Sequence, residues 1–460
     1  MGRGSLERQL ALGAALLTAT TLLGPSVASG GGYMLPDSGI VANGRGGAFV
    51  AGADNQFAQY YNPAGLIRVD APTINIGWSG VSQPVTFTRT GEDGTPMDPA
   101  VNQSPPFSVP QIGFAAPLVK DRVHFAIGLY SPFAPGYEFD ADGPQRYSII
   151  DTLIWNFAVG PSFAVKVVDQ LTVGVGLQWQ ILRVGEQLKV TTSGLDDPAG
   201  DVAVDAEVLD LFTPSFNVGV LVEPIEQLSI GLAMQPPTRF EARGSGTLDF
   251  TGHGLEDSLD QTLWVDDDVG LELDMPVILR GGVAVRPVEK LEVEAAVVYE
   301  GWKRLQDIVV KDVDATITGE ILGAPIEEEV EDRIALPAGF RDTISYRLGG
   351  EFDAADTLSL RMGGFYETAA LRPEQVSVAL VDTNKFQLGT GASLRLLEQR
   401  LTFDTAFAYL FYENLEITES EVTQINVYGG DEGSVGNGTM EAFGWVVGVQ
   451  ASYAFRKAGD

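Results

Sequence analysis

The chain has 460 residues, with 54 glycines, 25 prolines, no cysteine and two histidines, and its 29 Lys and Arg against 62 Asp and Glu give a formal charge of −33. So acidic a chain repels phosphate, which excludes nucleic acid as a partner, and without cysteine there is no disulfide scaffold, thiol nucleophile, thiolate metal site or lipoprotein anchor. Disorder is excluded as well, because 45% hydrophobic residues can bury a large core.

In chain order, Arg3 and Arg8 precede an uncharged apolar run from Leu10 to Leu23, followed by Pro25 and the small-residue triplet Ser26-Val27-Ala28. This reads as a secretory signal peptide over 1–28, cut after Ala28. A membrane anchor is the alternative, but about 14 apolar residues fall short of the roughly 20 needed to span a bilayer. Residues 29–70 follow without any clear periodicity. They are rich in glycine and carry Gly44-Arg45-Gly46-Gly47-Ala48, Ala53-Asp54 and Asn62-Pro63-Ala64-Gly65. Such a segment is either a linker or a plug.

From about residue 71 the chain is written in period two. Leu171, Val173, Val175, Leu177 and Trp179 alternate with Thr172, Gly174, Gly176, Gln178 and Gln180. The same split separates Phe386, Leu388 and Leu394 from Gln387, Gly389 and Ser393, and places Asp404 opposite Phe403, Phe407 and Phe411. Alternation of this length is strand, not helix. Strands of ten residues or more, apolar with aromatic ends on one face and polar or glycine-rich on the other, fit a transmembrane barrel better than a soluble sandwich. A barrel also leaves no backbone edge unpaired in lipid.

Fourteen such segments are expected, near 71–89, 109–119, 122–131, 151–167, 170–192, 207–222, 227–243, 271–287, 289–302, 340–353, 357–370, 384–397, 400–416 and 442–456. Short turns alternate with long acidic connections at 90–108, 132–150, 193–206, 244–270, 303–339 and 417–441. The reading is an all-β, 14-stranded antiparallel transmembrane barrel over 71–456, an N-terminal hatch over 29–70 inside its lumen, and a short tail over 457–460.

With those residues in view, the chain resembles the FadL family of outer-membrane transporters for long-chain fatty acids and other hydrophobic compounds. The resemblance covers nearly the whole chain after the signal peptide. Its most specific part is the hatch pattern Gly44–Ala48, Ala53-Asp54, Asn62-Pro63-Ala64. Phe340-Arg341-Asp342, Tyr346-Arg347-Leu348-Gly349 and the closing Tyr453-Ala454-Phe455 support it. It implies a 14-stranded barrel plugged by the hatch, placed in the outer membrane of a Gram-negative bacterium. The expected function is passive uptake of fatty acids or other hydrophobic small molecules, by lumenal capture and lateral release into the bilayer.

The resemblance also implies site residues. Arg183 aligns with a basic ligand contact of the family, and Tyr33 and Leu35 stand where its members bring an aromatic and apolar amino terminus toward the ligand tail. A second basic contact is unmatched, since Leu336 falls there, and Arg341 or Arg333 could substitute by proximity. Parity, however, puts Arg183 on the lipid-facing series. Asn62, Pro63, Ala64 and Gly65 form the hatch motif, which is also an ordinary Asx-Pro turn. In the third strand, Tyr130-Ser131-Pro132-Phe133-Ala134-Pro135-Gly136 interrupts the ladder, because proline removes a donor. Pro132, Pro135 and Gly136 are the expected kink of a lateral opening, or simply the start of a loop.

Other chemistry is poorly supplied. Parity turns His124 to the lumen, where it could be a lipase-type base, but His253 sits between two loop glycines and no acid–base pair results. Asp266-Asp267-Asp268 could hold a hard cation or be a solvated loop bridged by divalents to lipopolysaccharide. No cofactor, catalytic residue or metal site is expected. The expected partners are a fatty acid or neutral hydrophobic ligand, outer-membrane lipid, lipopolysaccharide and the barrel-assembly machinery, with the protein a monomer. A lipid-modifying barrel enzyme and a structural or diffusion porin are the alternatives. The acidic loops, with one basic contact matched, further suggest that neutral compounds are at least comparable to fatty acids as substrates.

Overall fold

A computed structural model describes residues 38–132, 136–191, 195–249, 251, 262–311, 316–321, 324–329, 333–337, 339–424 and 433–455. The expected signal peptide and the tail after 456 lie outside these residues, as do Tyr33, Leu35, Pro135 and His253.

Among the described residues, fourteen antiparallel strands close into one barrel. They are β1 (Thr73–Ser82), β2 (Phe107–Val119), β3 (Val123–Tyr130), β4 (Asp151–Val168), β5 (Leu171–Thr191), β6 (Asp201–Ile225) and β7 (Leu228–Gln235, resuming as Thr238–Asp249). There follow β8 (Thr262–Met275, resuming as Ile278–Val288), β9 (Leu291–Glu300), β10 (Thr343–Ala355), β11 (Leu358–Glu367), β12 (Lys385–Leu396), β13 (Leu401–Tyr412) and β14 (Gly438–Ala454). Each pairs with its sequence neighbour, and β1 pairs with β14 from Thr73↔Ala454 to Ser82↔Trp445, which removes the last edge.

Parity decides which face each side chain takes. On β5 the odd residues Val173, Val175, Leu177 and Trp179 are exposed, and the even residues Thr172, Gln178 and Gln180 are buried. On β12 and β13, Phe386, Leu388, Phe403, Phe407 and Phe411 face outward while Gln387, Ser393 and Asp404 face in. His124 is buried on the inner face, as its parity requires. An exposed band of Val, Leu, Ile and aromatic residues on a barrel of this size is a lipid-facing wall.

Two expected loops turn out to be largely strand. Thr238–Asp249 pairs with Thr262–Met275, and Asp307–Lys311 pairs with Arg333–Pro337, with a separate hairpin of Thr316–Ile321 and Ala324–Glu329 between them. The triplet Asp266–Asp268 therefore lies on a strand and not in a loop. Acidic residues hid these extensions because outside the bilayer a strand need not alternate apolar with polar to stay in register.

The segment Ser38–Val69 is not wall. It crosses the lumen near the short-turn end. Its helix Ile40–Gly44 lies against β11 to β14, and its 3₁₀ turn Pro63–Arg68 lies against β3 to β6. Phe49, Phe57, Tyr60, Tyr61, Ala64 and Leu66 of this plug form one buried cluster with Ala115, Ala126, Ala158, Ala164 and Leu221 of the wall. The inward glycines explain the fit. Gly46 has φ +60°, a conformation that favours glycine, and a Cβ there would strike Gly363 and Gly364 of β11.

Candidate functional site

Three layers stack along the lumen: the plug, a set of buried charges, and a buried apolar cluster toward the long-loop end.

The plug is held by polar contacts whose partners lie far apart in sequence. Asn62 is fully buried and caps the 3₁₀ turn, its Oδ1 accepting from the Ala64 amide at 3.2 Å. Its Nδ2 donates to Val50 O at 3.0 Å and to Val220 O of β6 at 3.1 Å, which ties turn, plug and wall together. Pro63 begins the turn, and Ala64 and Gly65 are packed beneath it without exposure. Arg68 donates to Ala51 O at 2.6 Å, to Glu223 at 2.9 Å and to Ser229 at 2.7 Å.

The largest anchor is absent from the sequence reading. Glu294 of β9 is fully buried and points at the plug. The amides of Val50, Ala51 and Gly52 donate to its carboxylate at 2.6, 2.9 and 2.7 Å. Arg45 lies 3.6 Å from the same carboxylate and 2.8 Å from Glu292. Successive amides turned on one anion make a nest. The signal available was a run of glutamates at one parity of β9, Glu292, Glu294 and Glu300.

The apolar cluster lies beyond the plug. Ile154, Leu182, Val208, Phe240, Leu271, Leu273, Met275, Trp302, Phe340, Leu371 and Val378 are among its buried residues. Trp302 and Phe340 stack with ring centroids 5.5 Å apart. Buried charges stand at its border, where Lys385 pairs with Asp382 at 2.8 Å and with Glu367 at 3.3 Å, and Arg347 lies 3.7 Å from Glu367. Outside the membrane-spanning strands, burial pushes the Asp382 carboxyl above its ordinary range, against the opposing pull of Lys385. At the rim, Arg146 donates to Asp201 and Asp196, each at 2.7 Å, and Tyr147 donates to Asp201 at 2.7 Å. Burial opposes the Arg146 charge, but the hydrogen bond to Asp201 and the nearby Tyr147, Asp201 and Asp196 hold its pKa above the usual guanidinium value.

A break in the wall opens beside both layers. Among the described residues, β3 pairs with β4 as far as Tyr130↔Ala158, Ser131 and Pro132 are unladdered, and the next pair is Gly136↔Leu153. Ile154 to Phe157 of β4 thus face the interruption, across which Ser131 Oγ donates to Asn156 O at 2.6 Å. Pro132 is buried at this break and Gly136 opens the resumed segment. Outside, Phe107, Trp155 and Phe157 form an edge-to-face row, with centroids 6.1 and 5.8 Å apart.

The basic residues do not converge. Arg183 lies on the outer face, about half exposed, and makes a two-point contact with Glu207 of β6 at 2.9 Å and 2.9 Å. The pairing of β5 with β6 shifts register between Gln180 and Leu182, but the alternation of β5 itself continues through Leu182 and Val184, so Arg183 stays on the outward series that its parity gave it. Arg341 does border the cluster, donating to Leu371 O at 2.9 Å beside Phe340.

The geometry is that of a plugged transmembrane channel, and comparison with known proteins agrees. A search of curated protein sequences finds no match. The family model described as outer membrane protein transport protein (OMPP1/FadL/TodX) matches residues 21–455. Among solved structures, a Pseudomonas aeruginosa FadL homologue is similar with TM-score 0.77 and 18% identity, over 93% of this chain and 100% of that one. The Pseudomonas putida toluene transporter TodX gives TM-score 0.65 and 14% identity over 91% and 98%. The Ralstonia pickettii toluene transporter TbuX gives 0.62 and 17% over 91% and 98%. At these identities the structures speak for the fold, and the family match speaks for membership. The chain therefore belongs to the OMPP1/FadL/TodX family of outer membrane transport proteins of Gram-negative bacteria, and it is a transporter, not an enzyme.

Proposed function

We propose that the protein takes up long-chain fatty acids or other hydrophobic small molecules without an energy source, releasing them sideways into the bilayer. The observation that carries this reading is the coincidence of a buried apolar cluster above a plugged lumen with an interruption of the described ladder between Tyr130 and Gly136 beside them. A hydrocarbon gains about 0.8 kcal/mol per buried CH₂ on entering such a cluster from water. The plug blocks the straight path, and an aqueous exit would return that gain. Exit through the break beside Pro132 and Gly136 keeps the ligand in apolar surroundings throughout. Motion of the plug around Asn62, Pro63, Ala64 and Gly65 gates the passage. Neighbours named as toluene transporters support a small hydrophobic cargo. The lipid-facing band, the acidic outer loops and the barrel architecture agree with a monomer inserted by the assembly machinery, with lipopolysaccharide around its outer end.

The absence of cysteine allows a clean test. In a Pro132→Cys/Trp155→Cys variant, oxidation ties the break shut. Cellular uptake of a radiolabelled C12 ligand should fall to background and recover on reduction. Full uptake by the oxidised protein rejects lateral release. A diffusion porin is the competing reading, and the filled lumen disfavours it. Proteoliposomes carrying the intact protein should not swell in small sugars.

A further inference from the structure

Toward the long-loop end the lumen holds a carboxylate that is left without a counter-charge. Glu186 of β5 follows Leu182 and Val184 on the inward parity, while Arg183 and Gln187 face out. It is half-buried, and no charge or hydrogen bond of the described residues acts on its carboxyl. The cations of this rim are committed elsewhere. Arg183 holds Glu207 on the outer face, Lys189 holds Asp142 at 2.9 Å, and Arg146 holds Asp196 and Asp201 at 2.7 Å.

A second unsatisfied group stands directly across the ladder. Thr152 of β4 is the backbone partner of Glu186, so the two side chains share a face, with Cβ atoms about 4.5–5.5 Å apart. Thr152 is 5% exposed, and its hydroxyl has no hydrogen-bond partner. The same row continues to Tyr137 on one side and to Ala206 and Gly246 on the other. Tyr137 is engaged, its hydroxyl donating to Gln83 at 2.8 Å. Ala206 and Gly246 leave room beside the carboxylate, since a Cβ on Gly246 would meet nothing nearer than Asp205 O at 3.5 Å. The next inward row below is Ile154, Val184 and Val208, paired across the same three strands and buried in the apolar cluster.

A buried hydroxyl without a partner and an enclosed carboxylate without a counter-charge are both costly. One ammonium group offsets both, because its three N–H donors reach a carboxylate and a hydroxyl oxygen together. A hard metal ion does not suit the pair, since two side chains fall short of the roughly six to eight oxygens it takes. We propose that Glu186 and Thr152 form an ammonium site at the edge of the apolar cluster, and that the transported compounds include hydrophobic amines. The head sits on this pair and the tail lies on Ile154, Val184 and Val208. This rests on the uptake reading above and names a ligand class for it. The formal charge of −33 acts in the same direction, drawing organic cations toward the protein and repelling free acids.

The test uses the whole protein in non-ionic amphipol at pH 8, titrated calorimetrically with decylamine, decyl methyl ether and decanoate. Wild type should bind the amine about tenfold tighter than the ether, and the acid more weakly than the amine. Glu186→Gln should remove the preference for the amine and leave ether affinity unchanged. Thr152→Val, which is isosteric, should weaken the amine several-fold and the ether not at all. Heat-modifiable gel migration verifies the barrel in each variant. An amine that binds wild type no tighter than the ether or the acid overturns the site while the uptake channel stands. So does a preference that survives Glu186→Gln. Should Glu186→Gln not fold, unchanged amine binding by Thr152→Val overturns the site alone. If none of the three ligands binds wild type, the uptake reading falls and this inference with it.

Discussion

Replacing Glu294 by alanine removes the acceptor of three plug amides, those of Val50, Ala51 and Gly52, and one of the two carboxylates beside Arg45. Hydrogen bonds to a charged group contribute about 1.5–3 kcal/mol each. The three amides share one carboxylate and regain water when the plug opens, so their sum overstates the loss. Breaking a buried charged contact by removing one partner costs about 3–5 kcal/mol, and this is the better figure here, because Arg45 keeps Glu292 at 2.8 Å. A shift of that size raises the population of released plug about 150- to 5,000-fold. The wall should be untouched, since the ladder of β9 to β8 and β10 is made by backbone alone. Hydrogen exchange followed by mass spectrometry reads both parts at once. Peptides covering 45–55 should lose protection in Glu294→Ala, those covering β12 to β14 should not, and Glu294→Gln, which keeps an acceptor oxygen, should fall between. Unchanged exchange at Val50 to Gly52 in Glu294→Ala would refute the idea that this carboxylate anchors the plug.

Three further outcomes are expected. Asn62→Ala loses bonds to Val50 O, Val220 O and the Ala64 amide, so it should weaken the plug by about 2–3 kcal/mol at roughly 1 kcal/mol per bond; uptake should change while heat-modifiable migration stays normal. Gly219→Val would drive a side chain into Asn62 and Pro63, and the displaced plug should make proteoliposomes permeable to small sugars, as swelling rates would report. Arg146→Ala removes the hub joining Tyr147, Asp196 and Asp201, so amide exchange should rise across 140–149 and 195–201 with no change in barrel melting temperature.

The wall was legible because a lipid-facing surface imposes period two, and Leu171 to Gln180 obey it without exception. The plug was legible as an exception to that period, and its Asn62-Pro63 turn carries a local signature. The outer extensions of β7 and β8 were not: Asp266 to Asp268 read as loop because solvated strands escape the apolar rule. Arg183 shows a different limit. Family alignment drew it inward, but its place in the odd series had already put it outside, against Glu207. Glu294 was invisible for a further reason. It is defined by partners more than 200 residues away in the plug, and no local pattern encodes that distance. Its place in the inward row with Glu292 and Glu300 is the trace it leaves.

The most direct test of the account is an experimental structure with a bound C12 carboxylate carrying a terminal bromine, located by its anomalous signal. The account predicts bromine among the buried apolar residues near Leu182 and Leu273, and the plug still spanning the lumen between β3–β6 and β11–β14. Bromine on the short-turn side of Asn62, with the plug withdrawn and the break between Tyr130 and Gly136 closed, would contradict it.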